Sequence, residues 1–63
     1  MTLSLDEAKR IANEYANRAG LSLDIEGVGL ISQWVALLNV TVGGEPEQWR
    51  VCFRDADDYY LER

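Results

Sequence analysis

An α+β fold, one N-terminal helix packed on a three- to four-stranded antiparallel meander, is the arrangement this 63-residue sequence predicts. Two observations carry the prediction. Residues 5–19 repeat apolar side chains at helical spacing, and residues 21–54 alternate with period two between clusters of Gly, Pro and Asp. A chain this short forms one domain, 1–63, and buries only ~60% of the surface its unfolded form exposes.

Leu3-Ser4-Leu5-Asp6-Glu7 has the pattern of a helix start. Ser4 is placed to accept from the Glu7 backbone N–H while the Glu7 carboxylate reaches back to Ser4. Leu5, Ala8, Ile11, Ala12, Tyr15, Ala16 and Ala19 then form one apolar stripe, with Asp6, Arg10, Asn13, Glu14, Asn17 and Arg18 opposite it. Asp6–Arg10 and Glu14–Arg18 have the i,i+4 spacing of ion pairs. Gly20 ends the helix as a residue that tolerates the left-handed cap.

Leu21 to Glu26 alternates as a half-buried strand, and Gly27-Val28-Gly29 then marks a turn or a bulge. The longest strand pattern runs from Leu30 to Val42, with Trp34, Ala36, Leu38, Val40 and Val42 expected to face the helix. Gly43-Gly44-Glu45-Pro46-Glu47 is a hairpin loop by composition. From Gln48 to Arg54, Trp49, Val51 and Phe53 point inward while Arg50, Cys52 and Arg54 point outward. Asp55-Ala56-Asp57-Asp58 is a second turn, and Tyr59 to Arg63 is a short final strand or a tail.

The composition argues against several classes of function. There is no histidine, one lysine and one cysteine, so the usual general base, the commonest metal ligand and any internal disulfide are missing. No phosphate-cradling glycine loop leads into a helix. The expectation is a chain that is not an enzyme, with no cofactor and no metal. Asp55, Asp57 and Asp58 suit a hard cation in type but lack the spacing of a calcium loop, and aspartate is common in solvated turns. No targeting signal and no membrane-length apolar run is visible, so a cytoplasmic protein with no membrane contact is expected.

Eleven acids against six bases give a net charge of −5. Residues 1–19 are balanced, so residues 20–63 carry the whole excess. Direct nucleic-acid binding is disfavoured, because it requires a basic footprint. A basic or nucleic-acid-binding protein partner fits the charge better.

The outward sheet face is the most suggestive feature. Val35, Leu37, Cys52 and Tyr60 are placed on it, rimmed by Arg50, Arg54, Gln33 and Asn39, and no other segment is available to cover it. An apolar patch with a polar rim commonly marks an interaction surface, although scattered surface Val and Leu are also ordinary. Cys52, flanked by Arg50 and Arg54, has the setting of an activated thiol, but a lone strand cysteine is more often a small apolar filler. Val35, Leu37, Arg50, Cys52, Arg54, Asp55, Asp57, Asp58 and Tyr60 are therefore the candidate partner-binding residues.

In outline the helix-then-meander order resembles PepSY-like domains and many small phage or bacterial inhibitor proteins. That likeness is architectural and rests on no motif, and architecture alone carries no function. The leading expectation is a small acidic protein-binding module of inhibitor, immunity or adaptor type. The alternatives are a homodimer paired through the open sheet face and a nucleic-acid mimic such as an anti-restriction or anti-CRISPR inhibitor.

Overall fold

The computed structural model describes residues 2–63. It contains a helix, α1 (Leu5–Ala19), followed by four strands: β1 (Leu23–Leu30), β2 (Val35–Val42), β3 (Glu45–Asp55) and β4 (Asp58–Glu62). The strands form one antiparallel sheet in chain order, β1-β2-β3-β4. The α+β meander expected from the sequence is the fold observed, and the final segment is a strand.

The helix begins and ends where its caps place it. Ser4 is extended, and its hydroxyl accepts from the Glu7 backbone N–H at 3.1 Å. Gly20 adopts φ +71°, and the Leu21 N–H turns back to Ala16 O at 2.8 Å, satisfying a carbonyl that the helix leaves free. Ser4→Ala is expected to cost about 0.5–2 kcal/mol. In so small a domain that lowers the melting temperature by several degrees, readable by circular dichroism.

Other expectations for the helix are corrected. The Glu7 carboxylate does not turn back to Ser4; it pairs with Arg10. Arg10 also holds Glu14 at 2.8 Å, so one guanidinium bridges two turns in place of the expected Asp6–Arg10 and Glu14–Arg18 pairs. An arginine fork reaches i−3 and i+4 together, which a single i,i+4 pair does not use. Leu5 is largely exposed, and Leu3 is buried in its place. Leu3 precedes the cap and joins the same core as Ala8, the positions of a hydrophobic staple.

The sheet departs from the expected strand boundaries at its glycines. Gly27-Val28-Gly29 does not end β1; a bulge between Ile25 and Gly27 takes up Glu26, and the strand continues to Leu30. The expected strand from Leu30 to Val42 is divided instead. Residues 31–34 form the β1–β2 turn, closed by the Ile31 N–H donating to Val35 O at 2.9 Å. Gly43 and Gly44, at φ +58° and +87°, make a two-residue hairpin turn, so Glu45, Pro46 and Glu47 lie within β3. Pro46 pairs with Thr41 beyond the end of β4, where its missing N–H removes no bond to that strand.

One face of the sheet meets the helix. Ala36, Leu38, Val40, Val42, Trp49, Val51 and Phe53 pack there against Ala8, Ile11, Ala12 and Ala16. The alanines let helix and sheet approach closely. Tyr15 was expected in this core and sits at its rim, its ring edge-on to Trp49 at 5.4 Å between centroids.

Candidate binding face

Among the described residues, no helix packs on the opposite face. The register decides which side chains share it, because residues directly opposite on paired strands lie on one side. One row holds Val35, Cys52 and Tyr60; the next holds Gly29, Leu37, Arg50 and Glu62. Beyond these, Gly27, Asn39 and Gln48 form a polar row. The expected outward placement of Val35, Leu37, Arg50, Cys52 and Tyr60 is therefore the observed one.

At the β1–β2 turn end of this face lies an open depression of about 600 Å³. Val35 and Cys52 are half-buried at its floor, Trp34 and Tyr60 stand beside them, and Arg54 and Asp58 line its rim. Trp34 is 50% exposed and Tyr60 59% exposed, so both present aromatic surface to solvent. The expectation that Trp34 faces the core is overturned. Its parity with Ala36 and Leu38 has meaning only inside a paired strand, and Trp34 precedes β2. Ser32 instead accepts from the Trp34 N–H at 3.2 Å and helps shape the turn. The Trp34 carbonyl accepts from the Phe53 N–H at 2.7 Å, so the backbone carrying this exposed indole is tied to β3.

A sequence signal for this turn exists. Leu30-Ile31 are both apolar and Ser32-Gln33 both polar, which interrupts period two ahead of Val35. The remaining candidates are divided. Leu37 and Arg50 lie one row away from the depression on the same face. Asp55 ends β3 and Asp57 lies in the β3–β4 turn, beside the depression but outside its lining. Among the described residues no group of three or more His, Cys, Asp or Glu side chains is arranged to hold a metal ion.

The electrostatics of the face are exposed and weakly constrained. Arg54 approaches Asp58 at 3.8 Å, but its side chain is 87% exposed, so water screens the pair. The neighbouring Cys52 thiol holds the Tyr60 hydroxyl above its usual range, and the Glu62 carboxylate adds to the effect. By contrast, Glu47 on the helix side is committed to structure. It accepts from Arg63 at 2.8 Å and from the Trp49 indole N–H at 3.0 Å, which together hold its carboxyl below the usual range.

No protein-family model, no curated protein and no solved structure matches the chain. Among the described residues, no helix is long and apolar enough to cross a membrane.

Proposed function

We propose that the chain is a non-enzymatic protein-binding module whose contact surface is the helix-free sheet face, centred on the depression between Trp34 and Tyr60. The observation that carries this reading is the pairing of exposed aromatics with a half-buried apolar floor and a charged rim. Aromatic anchors around an apolar depression that a partner can desolvate have the composition and arrangement of binding hot spots. The β2–β3 ladder beneath them is paired without a register shift, from Val35 opposite Cys52 to Val42 opposite Glu45. The floor is therefore formed by the sheet itself before a partner arrives, lowering the ordering cost of association.

Trp34→Ala and Tyr60→Ala test the reading. Each is expected to weaken partner binding by at least ~30-fold, the ratio that corresponds to a 2 kcal/mol hot spot. Neither side chain is buried in the core, so the melting curves should stay within a few degrees of the parent. The measurement is capture of host proteins by the tagged parent and by each variant, quantified side by side. Retention of the same proteins by all three chains would overturn the reading.

A further inference from the structure

We propose that the depression accepts a short proline-rich peptide segment with a basic end, its prolines between Trp34 and Tyr60 and its basic residues beside the β3–β4 turn. This rests on the binding-face reading and names the occupant.

Size argues against a second copy of the chain. The whole domain extends 33 × 21 × 17 Å, so even its broadest face projects only about 700 Å². Only the row through Val35 is apolar throughout, and Leu37 lies beside it in a row that also holds Arg50 and Glu62. At most about half of the face is therefore apolar, while the rows through Asn39 and Thr41 are polar. Two copies would then bury about 700 Å² of matched surface, below the ~1,000 Å² that a specific interface clears. Both copies would also bring the net charge of −5 together. A peptide needs far less area.

The geometry of the face selects the peptide's form. Trp34 precedes β2 and Tyr60 lies in β4, so their backbones stand two strand spacings apart, ~10 Å, with Cys52 between them. That width takes a polyproline helix laid between two aromatic walls. The backbone groups of the central strands beneath are already engaged in the sheet ladder. The floor therefore gives an incoming strand no ladder to join. A polyproline backbone needs none and stays solvated along its length.

Charge sets the peptide's flank. Asp55, Asp57 and Asp58 lie at and beside the β3–β4 turn against Arg54, leaving two unbalanced negative charges at this end of the face. Arginine or lysine after the proline segment complements them and speeds encounter. Seven residues of polyproline span ~22 Å at ~3.1 Å each, enough to cross from Trp34 to the turn.

The probe is the synthetic peptide Ac-PPLPPRR-NH2, titrated into the isotope-labelled chain by NMR. Shifts are expected at the Trp34 indole N–H and the Cys52 and Tyr60 amides, with saturation below ~1 mM, in the weak range usual for short peptides. The counterpart Ac-PPLPPEE-NH2 should bind about tenfold or more weakly, and so should the parent peptide to a variant with Asp55, Asp57 and Asp58 all changed to Asn. Trp34→Ala should remove the response; Tyr60→Ser provides a second arm should Trp34→Ala disturb the turn. No shift at these residues up to 1 mM, or equal binding of the acidic peptide, overturns the proposal. Sedimentation showing a dimer that Trp34→Ala dissolves also overturns it, while leaving the binding-face reading standing.

Discussion

Trp49→Ala is expected to lose about 3–5 kcal/mol of stability, the usual cost of removing a large buried aromatic. Native domains hold about 0.05–0.15 kcal/mol per residue, so a chain of 63 residues has roughly 3–9 kcal/mol in total. One substitution therefore removes a third of the stability or all of it. Trp49 is fully buried and opposite Leu38 in the sheet register. Its ring receives the edge of Tyr15 on one side, and the Arg63 guanidinium lies 5.6 Å from its centroid. Its N–H donates to Glu47, so the substitution also loosens the Glu47–Arg63 link that holds the chain end to β3. Urea unfolding followed by far-ultraviolet circular dichroism measures the loss. Trp49→Phe keeps a ring in place and should lose markedly less. Equal losses from both would assign the effect to the indole N–H rather than to packing.

A comparably large effect separates two adjacent residues. Leu38→Asp is expected to prevent folding, whereas Leu37→Asp should leave the melting temperature nearly unchanged. Leu38 is completely buried between Val28 and Trp49, and the described core contains no polar side chain to accept a carboxylate. Burying that charge unpaired costs several kcal/mol, comparable with the whole stability of the domain. Leu37 points to the other face, with Gly29 on one side and Arg50 on the other. There is open space over Gly29, so an aspartate at position 37 stays hydrated with a cation nearby. Dispersed amide spectra for Leu37→Asp and collapsed ones for Leu38→Asp are the expected pair. The opposite pattern would exchange the two faces of the sheet.

The parity that distinguishes Leu37 from Leu38 was legible in the sequence because period two is a property of the extended backbone itself. The same local physics made the Ser4 cap, the Gly20 stop and the inward set Trp49, Val51 and Phe53 readable. Where the expectations failed, they extended a local period past the end of its element. Trp34 has the parity of Ala36 but lies outside β2, tied to β3 through its carbonyl alone, so its side chain follows the turn rather than the strand. Of the candidate binding residues, the sequence therefore supplied the floor and rim (Val35, Cys52, Arg54, Asp58 and Tyr60) and missed Trp34, their aromatic neighbour.

By itself, then, the sequence determined the order of the helix and first three strands, the two caps and the faces of Val35–Val42 and of residues 49–53. These depend on hydrogen bonds and periodicities spanning a few residues. Only the tertiary structure decided where strands end, that Gly27 and Gly29 lie within a bulged strand, and that Leu3 rather than Leu5 enters the core. It also decided that Arg10 bridges both Glu7 and Glu14, and that Trp34 stands beside Cys52 and Tyr60 at one depression. Each of these outcomes depends on which distant backbone or side chain arrives as a neighbour. Residues 34, 52 and 60 are brought together by three strands pairing in register, and that long-range pairing leaves no mark in the local periodicity of any one of them.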